Sequence, residues 1–366
     1  MPRIVHTADL HFDTPYAVRL SRKQAALRRS ELKFTFSTIV ERAKEADLLL
    51  IAGDLFDGPM VSQDTIAFLK RKLAEIPDIP VCIAAGNHDP YTADSVYARE
   101  AFSSNVHVFG RELAYIDFPH IKTRVHGVSF TSEAVPETLL HSLACAEDYV
   151  NILVMHGDVN PAGGESRYNP LTEKQLAACG ADYAALGHVH TYQGMHTAGS
   201  CTWAYPGNPE GRGFDETGEK GILEGVVEKN RADLAFRAVC RRKYYDLSLD
   251  ISEAVDEARI CEQIQALLAA SGTEQDLYRI ALYGRPDTAL GVRTEVLQEA
   301  LADKAFYLEL SDQTEPPYDF AALAKEQSLR GRFVQLMQER IDKASGDEKE
   351  VAVRALRMGV EALGQS

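Results

Sequence analysis

The 366-residue sequence predicts a layered α/β fold, with mixed sheets flanked by helices, then a small α+β unit and terminal helices. Three observations carry this. Short, β-rich apolar runs alternate with helix-period patterns up to about Phe130. From Ile251 the pattern changes to two helix–strand pairs. Beyond the paired prolines at 316 and 317 only helical periodicity remains.

Taken in order, "RIVHTADLH" opens the chain as a strand. A long helix follows, with Leu32, Phe36, Ile39, Val40 and Ala43 at helical spacing. "DLLLIAGD" is a strand, Ser62 to Glu75 a helix, and "IPVCIAAGNHD" the next strand. "YVNILVMHGD" and "ADYAALGHVH" are further strands. "TWAYPGN", "KGILEGVVEK" and "LAFRAVCRRKYYDLSLDI" read as successive antiparallel strands that complete a domain over residues 1–240.

Residues 241–315 form the α+β unit. A helix with Ile260, Ile264, Leu267 and Leu268 leads to the strand "LYRIALYG". A helix near Gly291 to Ala302 leads to "AFYLEL". "TEPPYDF" is a hinge, because paired prolines stop regular structure. Residues 316–366 hold two amphipathic helices. One is marked by Leu329, Phe333, Leu336 and Met337, the other by Val353, Leu356, Val360 and Leu363. Their apolar faces must be buried on their own domain or against a partner.

Composition narrows the class. Apolar residues make up 45% and charged residues 25%, as in a soluble globular protein. "MPRIVHTADLHF" does not read as a signal peptide, and no apolar run approaches the ~20 residues of a membrane helix. Six scattered cysteines without a Cys-x-x-Cys pair predict reduced thiols and a cytoplasmic protein. The net charge is −15, of which Tyr244 to Glu315 contributes −10. Two bound divalent cations would add positive charge where an anionic substrate binds, so the overall sign does not exclude a polyanion.

Five strand-like runs end in polar clusters: Asp9 and His11; Asp54; Asn87, His88 and Asp89; His156; His188 and His190. Ligands of open α/β sheets bind beyond the carboxyl ends of strands, so segments far apart in sequence can converge there. Asp9/His11 and His188/His190 are i, i+2 pairs, whose side chains face the same way if the backbone stays extended. Carboxylates, an amide oxygen and imidazoles suit two divalent ions, Mn first, with Fe or Zn as alternatives. Asp54, a lone acid after a buried strand, is the natural bridge between ions ~3.5–4 Å apart. Singly, each motif reads as a turn or surface feature; five together at strand ends do not.

The series "DLH", "GDLFD", "GNHD", "HGD" and "GHVH" resembles the calcineurin-like metallophosphoesterases over residues 9–190. The following "YPGNPEGRGFDETGEKG" resembles the DNA double-strand-break nucleases of the SbcD, meiotic-recombination-eleven and YhaO branches. That resemblance implies a nuclease domain, a capping domain and C-terminal helices that grip an SbcC-like coiled-coil ATPase, in a homodimer without a membrane. It implies that Asp9, His11 and His190 hold one metal and that Asn87, His156 and His188 hold the other. Asp54 would bridge, His88 would face the leaving oxygen, and Asp89 would orient the His88 ring. Where some relatives carry a phosphate-positioning His after "GDLF", this chain has Asp57, a carboxylate that would repel phosphate unless paired.

The expected activity is DNA phosphodiester hydrolysis, exonucleolytic or endonucleolytic, in DNA repair. A metal-bridging hydroxide would attack phosphorus and His88 would act as general acid. The alternatives are a phosphoesterase for small diesters or nucleotides, and a weakly catalytic subunit that docks an ATPase. Asp57, Arg167 and Tyr168, with Tyr16, are candidate substrate contacts. "RLSRKQAALRRSELK" (Arg19 to Lys33), with six bases and one acid, is either a solvated helix face or a phosphate-tracking patch.

Overall fold

The computed structural model describes residues 1–16, 20–159, 166–286, 292–315 and 318–364. Arg19 and the two prolines of the expected hinge lie outside the described residues. The chain divides into two compact units, 1–246 with 275–278, and 247–274 with 279–366.

The first unit contains two six-stranded mixed sheets. The strands are β1 (Arg3–Thr7), β2 (Leu48–Ala52), β3 (Val81–Ala84), β4 (Val106–Val108), β5 (Ala114–Phe118), β6 (Thr123–Val128) and β7 (Val150–His156). Then come the short β8 (Asp158–Val159) and β9 (Pro170–Leu171), β10 (Tyr183–Gly187), β11 (His196–Ala198), β12 (Cys201–Ala204), β13 (Gly221–Glu228) and β14 (Arg231–Ala238). One sheet has the order β14-β13-β1-β2-β3-β4, the other β11-β12-β10-β7-β6-β5. The run expected to be three successive antiparallel strands is divided between them. β12 pairs parallel with β10, whereas β13 and β14 form an antiparallel hairpin at Asn230.

The sequence of β2, LLLIA, shows how the layers form. All five side chains are buried, which a strand covered on both faces requires. Leu48, Leu50 and Ala52 point between the sheets with Ile152, Val154, Tyr183 and Ala185. Leu49 and Ile51 point the other way, onto α1 (Arg22–Ala43) and α2 (Gln63–Leu73), with Phe36, Ile39, Val40 and Leu69. Ser21 and Gln24 form a capping box that starts α1. The outer face of the second sheet is closed by α4 (Glu173–Cys179), which follows the short α3 (Val96–Arg99) in the chain.

In the second unit, β15 (Tyr244–Asp250), β16 (Leu277–Gly284) and β17 (Tyr307–Thr314) form a sheet. Its helices are α5 (Glu257–Ser271) and α6 (Thr294–Ala300), then α7 (Phe320–Leu323), α8 (Leu329–Lys343) and α9 (Gly346–Gly364). Val334, Leu356 and Val360 bury one another between α8 and α9, with Phe333, Met337 and Ile341 against them. Thus the terminal helices bury much of their apolar surface on each other, while Leu329, Val351 and Met358 stay at least 66% exposed. None of the described helices is long and apolar enough to cross a membrane.

Candidate metal centre

The strands β1, β2 and β3 run parallel in one sheet, and β7 and β10 run parallel in the other. Their carboxyl ends meet. The His188 backbone N–H donates to both Asp9 oxygens at 3.1 Å, and His156 Nδ1 lies 3.0 Å from the Ala52 carbonyl oxygen. Close approach is possible because the loops lack side chains at two points. A Cβ on Gly53 would come within 2.3 Å of His156 Nδ1, and one on Gly86 within 2.2 Å of Asp54 Oδ1.

The extended backbone assumed for the i, i+2 pairs is not what brings their side chains together. Asp9, His11 and Asp54 have φ values of 53°, 49° and 50°, and Gly53 has 91°. Left-handed backbone at non-glycine residues carries strain, which surrounding contacts must offset. Here the loops after β1 and β2 pair with each other. Asp9 N–H donates to Gly53 O, His11 N–H to Asp54 O, Phe12 N–H to Leu55 O and Asp57 N–H to Phe12 O, all at 2.9–3.0 Å. These bonds offset the strain and hold both acids at one point.

One donor set is compact. Ligand atoms of Asp9, His11, Asp54 and His190 all lie within 4.8 Å of one another. His11 Nε2 is 3.3 Å from His190 Nε2 and 3.7 Å from Asp54 Oδ2. The other set surrounds His156, whose Nε2 is 3.4 Å from Asp54 Oδ2 and 3.0 Å from Asn87 Oδ1. The His188 ring centroid lies 5.2 Å from that of His156. Asp54 Oδ2 therefore faces an imidazole of each set, the placement a shared carboxylate requires.

The hydrogen bonds show that these donors suit cations. His156 Nδ1 must carry the proton it gives to the Ala52 carbonyl, so Nε2 of the neutral ring presents a lone pair. That lone pair faces the Asn87 amide oxygen and the Asp54 carboxylate, an acceptor against two acceptors. His190 repeats the pattern. Its Nδ1 donates to Glu216 Oε1 at 2.7 Å, which turns an Nε2 lone pair toward Asp9 and His11. A bound cation would satisfy every acceptor of such a set at once.

Titration behaviour follows from burial. Desolvation pushes Asp9 up to about 7, opposed by His190 and reinforced by Asp54. Desolvation likewise raises Asp54 to about 6 and lowers His156 and His188 to about 4. His190 is the exception. Burial would lower it, but the Glu216 bond and the Asp9 charge raise it.

Two placements differ from expectation. Asp89 does not orient the His88 ring. Its carboxylate accepts from Gly86 N, Leu55 N, Phe56 N and the Tyr97 hydroxyl at 2.5–3.1 Å, and so ties the loops after β2 and β3 together. The carboxylate nearest the His88 ring is Asp57, 3.8 Å from Nδ1. Tyr16 is buried under the Arg28 guanidinium and unavailable as a surface contact. Arg28 itself, counted in the basic stretch, is fully buried and paired with Glu210 and Glu31. Arg167 is exposed, and Tyr168 lies with its ring 4.8 Å from His188.

Sequence reasoning missed Glu216 and Arg212, although both lie in the quoted "YPGNPEGRGFDETGEKG". Glu216 is 6% exposed and accepts from His190, Asn208, and the backbone and side chain of Arg212. An acid amid glycines resembles loop surface, and only its partners reveal it. Three other histidines have structural partners: His6 bonds the Tyr183 hydroxyl at 2.8 Å, His126 meets Asn151, and His196 stacks on Trp203.

With this geometry in view, the model of the calcineurin-like phosphoesterases matches residues 2–192. The uncharacterized metallophosphoesterase YhaO of Bacillus subtilis is 26% identical over 337 residues, covering 85% of this chain and 81% of that protein. The DNA double-strand break repair protein Mre11 of Methanopyrus kandleri is 24% identical over 398 aligned positions, covering 97% of this chain and 82% of that one. Mre11 of Aeropyrum pernix is 25% identical over 277 residues, 69% of this chain and 64% of its own.

Proposed function

The chain belongs to the calcineurin-like phosphoesterase family, and on that footing we propose that it is a two-metal phosphodiesterase acting on DNA. The observation that carries the metal reading is the meeting of two donor sets at facing strand ends, with Asp54 Oδ2 turned to an imidazole of each. The DNA reading draws on the likeness to two Mre11 proteins whose names state double-strand break repair.

Asp9, His11 and His190 would hold one divalent cation, and Asn87, His156 and His188 the other, with Asp54 between them. Manganese is the first candidate, and iron or zinc fits the same donors. When bound, such a pair neutralises charge on a phosphate and makes water a better nucleophile. Asn87 contributes a neutral oxygen, which leaves more of the positive charge for substrate than a third carboxylate would.

His88 stands at the rim, 42% exposed, with its backbone N–H held by Asp54 Oδ1 at 2.9 Å. That anchor keeps the imidazole beside the bridging carboxylate while the ring stays free to give a proton to the leaving oxygen. Asp89 supports this indirectly, by fixing the loop that carries His88. Exposed Leu329, Val351 and Met358 on α8 and α9 support an additional docking role toward a coiled-coil ATPase.

The test uses purified protein with Mn or Mg, with and without chelator, on linear duplex DNA, single strands and bis(p-nitrophenyl) phosphate. Metal-dependent cleavage of DNA is expected. Cleavage of the small ester alone would sink the DNA reading.

A further inference from the structure

Asp57 is a carboxylate at the mouth of a site built for an anion. It lies 3.0 Å from His11 Nδ1, without alignment for a hydrogen bond, and 3.8 Å from His88 Nδ1. Left alone it would repel a phosphate. It is not alone: Arg212 Nη1 donates to Asp57 Oδ1 at 3.2 Å.

We propose that Arg212 is the phosphate-binding cation of this site, with Asp57 and Glu216 as the residues that position it. The guanidinium is clamped from two sides. Its Nε and Nη2 donate to Glu216 Oε1 at 3.2 and 3.1 Å, and its own backbone N–H donates to Glu216 Oε2 at 2.8 Å. A guanidinium has five N–H donors, and three are directed at these two carboxylates. Nη2 also meets His190 Nδ1 at 3.0 Å, so the second N–H of Nη1 is the donor left to face a phosphate oxygen.

Position and exposure agree with this role. Arg212 Nη1 meets Asp57 Oδ1 at 3.2 Å, and the same oxygen lies 3.0 Å from His11 Nδ1 and 3.8 Å from His88 Nδ1, at the edge of the donor set. Its side chain is 22% exposed, where a ligand can reach it. Two buried cations beside Arg212 cannot serve. Arg28 is fully buried against Glu210 and Gly211 O, and Lys220, 2% exposed, donates to His190 O. Asp57 stands between His88 and Arg212, so the group facing the leaving oxygen and the group facing a non-bridging oxygen share one carboxylate. A residue that looked adverse to phosphate thus aligns the cation that binds it.

The inference rests on the phosphoester chemistry of the family and not on DNA as substrate. A protein that cuts bis(p-nitrophenyl) phosphate but spares DNA would sink the DNA reading and leave this test intact. The test measures orthophosphate affinity of the metal-loaded full chain by calorimetry, metal content by mass spectrometry, and turnover of the chromogenic diester, for Arg212→Ala, Arg212→Lys and Asp57→Asn. Arg212→Ala should keep wild-type metal content, weaken orthophosphate by about tenfold or more, and raise KM more than it lowers kcat. Added guanidinium should restore part of its turnover. Arg212→Lys should fall between Arg212→Ala and wild type, keeping the charge without the guanidinium geometry. Asp57→Asn should weaken orthophosphate less than Arg212→Ala, and in the Arg212→Ala background, where Asp57 is left unpaired, it should restore part of the lost affinity. Orthophosphate affinity within twofold of wild type in Arg212→Ala would overturn the proposal. So would loss of a metal in that variant, which would make Arg212 a prop for His190. A tighter orthophosphate complex in Asp57→Asn would overturn the positioning role of Asp57.

Discussion

The two donor sets are supported by different chemistry. In one, His190 is backed by the carboxylate of Glu216; in the other, His156 is backed by the peptide carbonyl of Ala52. A carboxylate behind an imidazole raises its basicity and its hold on a metal, while a carbonyl mainly fixes the tautomer. The Glu216 bond raises His190 against burial, whereas burial lowers His156 to about 4 although the Ala52 bond acts to raise it. The first set also contains Asp9, and the second relies on the neutral Asn87. On the proposed reading, two cations in this centre would be held unequally, with Asp54 as the group between them.

The largest expected effect comes from removing that tie. Asp54→Ala should release both cations and lower turnover by about 10³-fold or more, read by metal content and diester hydrolysis. Loss of one cation alone would break the picture of a shared carboxylate. Next, His88→Ala should keep both cations yet lower turnover by about 10²–10⁴-fold. A missing metal in that variant would move His88 from proton donor to ligand. Glu216→Gln should sharpen the contrast directly. It should weaken the first cation by about 10–100-fold and leave the second nearly unchanged, as competitive chelator titration would show.

The smallest effect is in pH. A raised acid pKa means that a proton competes with metal at higher pH, so affinity falls as pH drops through that value. Asp9 at about 7 and Asp54 at about 6 place this loss between pH 7 and 6 for the first set. The second set's imidazoles, at about 4, hold no competing proton there, and only the shared Asp54 weakens it. Titration from pH 8 to 5 should release the first cation before the second, by about tenfold in affinity per pH unit for each proton displaced. Release in the opposite order would reverse the ranking of the two sets.

Arg28 and Arg212 show where sequence reading stops. Arg28 lies at helical spacing from Ala25 and Leu32 on the buried face of α1, whereas Arg212 sits in a glycine-rich loop, and neither setting names a partner. Glu210, 182 residues away, takes one into the interior, and Asp57, 155 residues away, holds the other at the mouth of the site. Asp89 teaches the same about motifs. Its neighbour in sequence is His88, yet its four hydrogen bonds go to Gly86, Leu55, Phe56 and Tyr97.

The sequence by itself determined the layered fold and the strand ends at which Asp9, His11, Asp54, Asn87, His156, His188 and His190 emerge. Those features are local: a continuous apolar run marks a strand such as Leu48–Ala52 as covered on both faces, and a polar residue after it marks where burial stops. Tertiary structure alone decided which ring nitrogen faces inward, that the loops after β1 and β2 turn left-handed, that Glu216 stands behind His190, and that Asp57 and Arg212 meet at the mouth of the site. Those features depend on how closely two sheets approach at one edge. A hydrogen bond discriminates at tenths of an ångström, between groups that stand 26 to 179 residues apart in the chain.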